Sequence, residues 1–222
     1  MKVIEIFSSI DGEGITAGYP AVFIRLAGCN LRCSYCDTQY SYDGGEEMCP
    51  EEIVDKVMSF GIRRVTVTGG EPLIHKDIGS LLECLLSRGM KVNVETNGSV
   101  DVRQVVHLIE DSITSEDMRN LFFTIDYKLS CSGQQNKMCF NNFKNKREED
   151  VIKFVVGSKE DLEQTRVVCE LCGLKDKVFI SPVFGKIQPS EIVQFILDNH
   201  MDFARVQLQM HKIIWDPDKR GV

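Results

Sequence analysis

The sequence predicts an α/β protein, a partial (β/α)6 TIM-like barrel with a parallel sheet inside and helices outside. Short β-rich runs recur along the chain, and from the second run onward their starts are spaced by roughly 27–30 residues, the size of one βα unit. Amphipathic helical patterns fill the gaps, and strands that alternate with helices form parallel sheets. The 222 residues are too few for a closed eight-unit barrel, which typically takes about 250. An open six-unit barrel therefore fits best.

Each strand is predicted from a run rich in β-branched and aromatic residues, which suit a buried pleated surface. In chain order the runs cover residues 22–26, 65–68, 92–95, 122–126, 151–156, 178–181 and 206–208. Four helices are predicted between them, at residues 50–60, 77–88, 158–172 and 189–199. Pro50 suits a first helical turn, Ser158 is a capping candidate, and Gly89 and Gly173 are candidate helix ends.

Composition restricts the class of protein. Hydrophobic residues make up 43% of the chain, yet no apolar run approaches the roughly 20 residues of a membrane span. The amino terminus lacks the layout of a signal peptide, because Glu5 interrupts its apolar run. We therefore expect a cytoplasmic protein with no membrane partner, whose nine cysteines are reduced thiols or metal ligands. The net charge of −7 argues against a broad nucleic-acid surface, so no nucleic-acid partner is expected.

No linker divides the chain, so residues 1–222 are predicted to form a single domain. Residues 132–150 are polar and basic, which predicts a long surface loop or a small insertion. The composition of this segment fits an inert solvated loop at least as well as a mobile lid.

Cys29, Cys33 and Cys36 form the most informative motif, C-x3-C-x2-C, in a loop that follows a predicted strand. Three thiolates can hold three irons of a [4Fe–4S] cluster, whereas an electron-transfer cluster normally takes four. Three local ligands therefore indicate a cluster with one open iron, where a substrate or cofactor can coordinate. A zinc site with Cys49 as fourth ligand, a redox pair and plain buried thiols are the alternatives.

Polar groups follow five of the predicted strands, at the carboxyl ends where parallel α/β sheets carry their sites. They are the cysteine loop, Thr68-Gly-Gly-Glu-Pro72, Glu95-Thr-Asn-Gly98, Asp126-Tyr-Lys128 and Gln207-Leu-Gln-Met-His211. We expect all five groups to face the same opening of the barrel. Two adjacent glycines remove side chains where a ligand must meet the backbone, although a tight turn also explains them.

The cysteine motif followed by the glycine motif resembles the radical S-adenosylmethionine (SAM) superfamily. The resemblance implies that the three cysteines bind a [4Fe–4S] cluster and that the glycine-rich segment binds the amino group of SAM through backbone contacts. It also implies that the amino and carboxylate groups of SAM chelate the open iron, and that one electron then releases a 5′-deoxyadenosyl radical.

Further segments of the sequence resemble one particular family within this superfamily. Residues 5–14 (E-I-F-S-S-I-D-G-E-G), residues 18–38 and the later strand-end motifs resemble 7-carboxy-7-deazaguanine synthases over nearly the whole chain. This resemblance implies a reduced radical SAM barrel, a homodimer that uses Mg2+, and an electron donor such as flavodoxin or ferredoxin. The implied reaction converts a pterin, 6-carboxy-5,6,7,8-tetrahydropterin, into 7-carboxy-7-deazaguanine with loss of ammonia, a step toward queuosine and related deazapurines.

The resemblance also assigns roles to residues. Arg25 and Glu13 are implied to be catalytic: Arg25 would hold the substrate carboxylate, and Glu13 would accept from the paired N–H groups of the pterin ring. A buried arginine could instead form an internal ion pair, for example with Glu13. Thr38 is the implied Mg2+ ligand, although an Asp-Thr turn often bonds only its own backbone. The other implied substrate contacts are Ile10, Asp11, Gly12, Thr68, Gln209 and His211, and the implied SAM contacts are Tyr35, Gly69, Gly70, Glu71, Glu95, Asn97 and Ser132.

Two positions depart from the family pattern, and two other functions stay open. Asp11 stands where many members have Gln, and Ser130-Cys-Ser-Gly133 stands where many have Pro-Ser-Ser-Gly. A glycyl-radical-enzyme activase would also carry C-x3-C-x2-C on a short chain, but it needs a protein-docking surface in place of a small-molecule clamp. A non-enzymatic iron–sulfur or zinc protein is the second alternative.

Overall fold

The computed structural model describes residues 1–222, and one nine-stranded sheet runs through the chain. The strands are β1 (Lys2–Ile10), β2 (Pro20–Leu26), β3 (Glu46–Glu47), β4 (Arg64–Gly69), β5 (Lys91–Thr96), β6 (Leu121–Tyr127), β7 (Val151–Val156), β8 (Val178–Pro182) and β9 (Ala204–Val206). Their spatial order is β3-β1-β2-β4-β5-β6-β7-β8-β9. Every neighbouring pair from β2 to β9 in this order is parallel, and β1 and β3 extend the β2 edge in antiparallel fashion. Because the order does not close on itself, the barrel is open.

The helices are α1 (Pro50–Met58), α2 (Ile78–Ser87), α3 (Val102–His107), α4 (Ser115–Met118), α5 (Phe140–Lys144), α6 (Lys159–Cys172), α7 (Pro189–Asp198) and α8 (His211–Ile214). Local sequence explains the ends of the longest one. The Ser158 hydroxyl accepts a hydrogen bond from the Asp161 amide at the start of α6. Gly173 ends α6 in the left-handed conformation, with φ of 65°. Prolines occupy the first turns of α1 and α7, where no amide hydrogen bond is lost.

The two faces of the sheet have opposite character. Successive side chains of a strand point to opposite faces. On β2, Ile24 and Leu26 lie in the apolar core between the sheet and the helices, whereas Phe23 and Arg25 face the barrel interior. The interior positions of the following strands are mostly polar, namely Thr66, Thr68, Asn93, Glu95, Thr124, Asp126, Lys153 and Ser181. Stability therefore comes from the outer face, and the inner face is left for chemistry.

The predicted fold class is confirmed, and the predicted strands and helices are present with ends shifted by a few residues. The predicted strand at 206–208 lies slightly earlier, as β9 at Ala204–Val206. The sequence reading missed β1 and β3, because their pairing is antiparallel and falls outside the βα repeat. It also left α3, α4 and α8 unassigned, since all three are short.

Residues 132–150, predicted to be a polar loop or insertion, contain α5 and are attached to the body of the protein. Phe143 is fully buried and packs edge-on against Tyr127, with ring centroids 4.8 Å apart. The Asn142 side chain donates to the carbonyl groups of Gly98 and Val100, and accepts from the amide of Val102. None of the helices combines the length and apolar character needed to cross a membrane.

Candidate active site

A cavity of about 660 Å³ opens at the carboxyl ends of the parallel strands. Its wall includes residues from all five of the predicted strand-end groups. Cys29, Cys33 and Cys36 line it, and none of the other six cysteines does. Cys49 is exposed at the start of α1, so it offers no fourth ligand to this cavity.

The three cysteines are free thiols. Burial raises the pKa of Cys29 and of Cys33, so these two groups need bound metal to become thiolates at neutral pH. No three His, Cys, Asp or Glu side chains converge closely enough to bind one metal ion. The structure thus gives no support to a mononuclear zinc site, whereas the ligands of a cubane cluster bind different irons and stand further apart.

Backbone contacts fix the cysteine loop. The Leu31 amide donates to the Cys29 sulfur at 3.4 Å, and the Asn97 side-chain amide approaches the same sulfur at 3.7 Å. The Ser34 amide donates to the Ser132 carbonyl at 3.1 Å. Ser132 is buried and does not line the cavity; its hydroxyl donates to the Leu129 carbonyl. The structure therefore shows Ser132 as a support of the cysteine loop, and its contact with SAM stays a prediction.

Gly69 and Gly70 are required by packing between two loops. A Cβ atom on Gly69 would overlap the backbone of Leu26, and one on Gly70 would overlap the Gly28 carbonyl. The Gly70 amide donates to the Leu26 carbonyl at 3.0 Å, and its own carbonyl accepts no hydrogen bond within the chain. Both glycines line the cavity. They hold the glycine loop against the cysteine loop, and the Gly70 carbonyl is free to accept from an amine.

Glu71 lies behind this wall and is fully buried. Its carboxylate accepts from the Leu73 amide at 3.0 Å, the Thr96 hydroxyl at 2.7 Å and the Asn97 amide at 2.6 Å. Burial raises the pKa of Glu71, and these three donors oppose the rise. Glu71 thus fixes the turn after β5, and its oxygens are occupied by the protein.

Glu95 and Asn97 reach the cavity from that turn. One Glu95 oxygen accepts from the Thr68 hydroxyl at 3.2 Å, and burial raises the pKa of this carboxyl. The Asn97 side-chain amide also donates to Asn30 at 3.0 Å, so it joins the turn to the cysteine loop. Thr68 lines the cavity beside Glu95.

Arg25 forms an internal ion pair, but with Glu5 on the neighbouring strand. The Arg25 Nε atom lies 2.7 Å from Glu5 Oε1, and the Tyr40 hydroxyl donates to the same oxygen at 3.0 Å. The two terminal amino groups of Arg25 have no hydrogen-bond partner within the chain, and the residue lines the cavity. Glu5 therefore orients a guanidinium whose outer donors remain free for an anion.

Glu13 is held by two groups on other strands. Lys153 Nζ lies 2.7 Å from one carboxylate oxygen, and the Ser181 hydroxyl donates to the other at 2.8 Å. Although burial alone would raise the pKa of Glu13, the ammonium group and these hydrogen bonds hold it below the ordinary value. Sequence reasoning missed Lys153 and Ser181. The signal for Lys153 was the same as for Arg25, a charged residue in an otherwise apolar strand.

Two buried polar atoms in the cavity wall lack partners. They are the Tyr35 hydroxyl and the Asp126 Oδ1 atom, while the other Asp126 oxygen accepts from Lys128 Nζ at 2.7 Å. The Lys128 ammonium also lies 5.8 Å from the centroid of the Tyr35 ring. A buried donor and a buried acceptor without partners, close to Cys33, fit a cofactor that carries both hydrogen-bonding functions.

The remaining predicted residues also line the cavity: Ile10, Asp11, Gly12, Thr38, Gln209 and His211. Asp11 is buried and accepts from the Thr66 hydroxyl at 2.7 Å. A Cβ atom on Gly12 would lie 2.6 Å from His211 Nδ1, so this glycine lets α8 approach the loop after β1. Thr38 contacts the Cys36 sulfur at 3.7 Å.

Comparison with known proteins agrees with this geometry. Residues 23–116 match the family model of the Radical SAM superfamily. The 7-carboxy-7-deazaguanine synthase of Clostridium acetobutylicum is 43% identical, over 100% of this chain and 99% of its own length. The synthase of Methanospirillum hungatei is 39% identical over 98% of this chain and 86% of its own. The chain belongs to the 7-carboxy-7-deazaguanine synthase family.

A solved structure supports the same family assignment. The crystal structure of QueE from Escherichia coli superposes with a TM-score of 0.71 at 25% sequence identity, and it covers 95% of this chain and 94% of its own. As a member of the 7-carboxy-7-deazaguanine synthase family, the protein is a radical SAM enzyme, and membership implies a [4Fe–4S] cluster and SAM. The observed cavity fits both groups: it has three thiols and no fourth, a free Gly70 carbonyl, and unpaired atoms on Tyr35 and Asp126.

Proposed function

We propose that the protein converts 6-carboxy-5,6,7,8-tetrahydropterin into 7-carboxy-7-deazaguanine and ammonia, in the biosynthesis of queuosine and related deazapurines. One observation carries the proposal: a single cavity joins the three cysteines to a free guanidinium at Arg25 and a fixed carboxylate at Glu13. These two groups match the two polar ends of the substrate, its carboxylate and its aminopyrimidine ring. Relatives named for this synthase activity align over the full chain.

In this proposal Arg25 binds the substrate carboxylate through its two unpaired amino groups. Glu13 accepts hydrogen bonds from the ring amino group and the adjacent ring N–H. With both ends held, only the carbon that bears the carboxylate faces the cysteine loop, and this orientation is what makes hydrogen abstraction selective. Glu95 would bind the ribose hydroxyls of SAM, and the Gly70 carbonyl would accept from its amino group.

When bound, the cluster and SAM supply a 5′-deoxyadenosyl radical as the hydrogen-abstracting species. The product and ammonia together contain the atoms of the substrate, so the reaction has no net oxidation or reduction. Return of the abstracted hydrogen would regenerate SAM, which would then act as a cofactor. The role of the chain is to orient both molecules and exclude water from the cavity.

Four further features belong to the proposal and come from the family resemblance. Thr38 would ligate a Mg2+ ion that also binds substrate oxygens and water, since a single hydroxyl is a weak ligand alone. Two copies of the chain would form a homodimer. An electron donor such as flavodoxin or ferredoxin would reduce the cluster. A cytoplasmic location would keep the three cysteines reduced.

An anaerobic turnover assay tests the function. The cluster is reconstituted and reduced, SAM, Mg2+ and 6-carboxytetrahydropterin are added, and products are followed by mass spectrometry. We expect 7-carboxy-7-deazaguanine and ammonia without net consumption of SAM. Release of 5′-deoxyadenosine without the deazaguanine would overturn the substrate assignment and favour an activase. No SAM cleavage by an intact cluster would overturn the enzymatic proposal itself.

A further inference from the structure

Lys153 is a buried ammonium group in the wall of the cavity, and the synthase reaction as outlined assigns it no role. It projects inward from β7, whose other inward-facing residues are apolar. The side chains of Lys153 and Glu13 are only 11% and 9% exposed, and their charged atoms are 2.7 Å apart. A buried ion pair of this kind costs desolvation energy that well-packed apolar residues would avoid. Its presence in a ligand cavity therefore points to recognition.

The pair has hydrogen-bonding capacity left over. An ammonium group has three donors, and Glu13 is the only partner of Lys153 within the chain. Each Glu13 oxygen accepts one hydrogen bond from the protein, from Lys153 or from Ser181, which leaves a lone pair on each oxygen. Side by side, the cavity wall thus presents two carboxylate acceptors and an ammonium group with two free N–H donors.

The charges around this pair keep both members ionised. Glu95 on β5 and Asp126 on β6 face the Lys153 ammonium and stabilise its positive charge. Asp11 stands nearby and interacts with Glu95. On the side of α8, burial lowers the pKa of His211, so the imidazole adds little charge beside Glu13 at neutral pH. A donor and an acceptor of fixed sign are therefore available throughout the neutral range.

The edge of a 2-amino-4-oxopyrimidine ring carries hydrogen-bonding groups that complement the acceptors of Glu13 and the donors of Lys153. Its amino group and its ring N3–H are two adjacent donors, and the 4-oxo oxygen beside them is an acceptor. We propose that Lys153 reads the 4-oxo group of the substrate while Glu13 reads the amino group and N3–H, which makes Lys153 a specificity-determining residue. This inference rests on the proposed function, because it takes the pterin as the ligand of Glu13.

Equilibrium binding tests the inference without turnover. The reconstituted protein with SAM, kept oxidised, is titrated with 6-carboxypterin and with 2,4-diaminopteridine-6-carboxylate. The second compound has an amino donor in place of the 4-oxo acceptor and an unprotonated N3 in place of N3–H, so only the part of the preference that depends on Lys153 reports the contact at position 4. We expect the unmodified protein to prefer the pterin. In Lys153→Met this preference should fall by about 10- to 100-fold, the range for a lost hydrogen bond to a charged group. Lys153→Arg, which keeps a cationic donor, should retain part of it.

Further variants keep the test decisive. Ser181→Ala removes the other hydrogen bond to Glu13, so it should weaken both ligands alike and leave the preference within about threefold. If Lys153→Met leaves an unfolded protein because Glu13 is then buried alone, Glu13→Gln combined with Lys153→Met removes both charges and is measured in its place. Its preference is compared with that of Glu13→Gln alone, so that the difference reports Lys153. Cluster absorbance and near-UV circular dichroism report whether each variant is folded.

The outcomes separate the inference from the proposed function. Binding of 6-carboxypterin to folded Lys153→Met, or to the folded double variant, with an unchanged preference over the diamino compound would overturn the role of Lys153 alone. Failure of the unmodified protein to bind 6-carboxypterin would overturn the pterin as substrate, and the inference with it.

Discussion

Arg25 illustrates what one charged side chain in an apolar strand can reveal. Its place inside an otherwise apolar strand, next to the cysteine loop, was readable from the sequence as a candidate anion site. Its actual partner, Glu5, was not readable, because β1 was not assigned as a strand. The same signal identifies Lys153, whose neighbours in the V-I-K-F-V-V run are all apolar.

Replacement of Arg25 by alanine should abolish turnover while the cluster remains intact. The substitution removes the proposed partner of the substrate carboxylate, and truncation of one member of a buried charge pair typically costs about 30-fold or more in binding. We expect kcat/KM to fall by about that factor or more, with unchanged cluster absorbance. Glu5→Gln is the control, since it breaks the ion pair but keeps the guanidinium, and it should cost less. Loss of the cluster in Arg25→Ala would mean that Arg25 is a structural residue.

Glu95 is expected to lower the stability of the fold at neutral pH while it strengthens the binding of SAM. Burial raises the folded-state pKa of Glu95 above its ordinary value of 4.5, so ionisation at neutral pH destabilises the fold. Glu95→Gln cannot ionise, and its oxygen can still accept from Thr68. We expect this variant to be more stable than the unmodified protein at neutral pH, and the gain should vanish as pH falls toward 4.5.

Thermal unfolding of the protein without SAM, at neutral and at acidic pH, measures this difference. The same variant should bind SAM more weakly, because a neutral amide is a poorer acceptor for two ribose hydroxyls than a carboxylate. A stability difference that is the same at both pH values would contradict the role of ionisation.

At the scale of elements, the loops after β2, β4 and β5 form one unit. Gly70 packs against the cysteine loop, Glu71 fixes the turn after β5, and Asn97 returns from that turn to the Cys29 sulfur. The sequence predicted that these loops share one opening of the barrel. It could not separate residues that face the ligand from residues that hold the loops together, because two of the three partners of Glu71 lie about 25 positions later in the chain.

Gly70→Ala tests the packing of this unit. The added methyl group would overlap the backbone carbonyl of Gly28, which cannot move without displacing Cys29. We expect the variant to reconstitute little or no cluster, measured by iron and sulfide content. Gly79→Ala on α2 is the matched control, because the atoms nearest to its methyl group would belong to the side chains of Leu108 and Ile109, which can shift. Full cluster loading of Gly70→Ala would show that the two loops can separate without loss of the site.

At the scale of the whole molecule, the open barrel is joined by side chains where the sheet leaves a gap. The side-chain amide of Gln207 donates through Nε2 to the Gly14 carbonyl at 3.0 Å. Its Oε1 atom accepts from the backbone amide of Gly14 at 2.9 Å. The Met210 amide donates to the Gly12 carbonyl at 3.2 Å. These contacts join the loop after β1 to the segment after β9, at opposite ends of the sequence. Periodicity predicts strands and helices, but it carries no information on a contact between residues 193 positions apart.

Gln207→Ala should therefore loosen the substrate end of the cavity without affecting the cluster end. The substitution removes two hydrogen bonds, worth about 1 kcal/mol each, that hold the loop carrying Glu13 against the rest of the barrel. We expect 6-carboxypterin to bind up to about 10-fold more weakly, while cluster content and SAM affinity are retained. Gln194→Ala is the matched control, because that amide bonds only to Asp198 on the exposed face of α7 and should leave every parameter unchanged. Equal losses of pterin and SAM affinity in Gln207→Ala would contradict a local effect of the Gln207–Gly14 contact on the substrate end. They would mean that this contact stabilises the barrel as a whole.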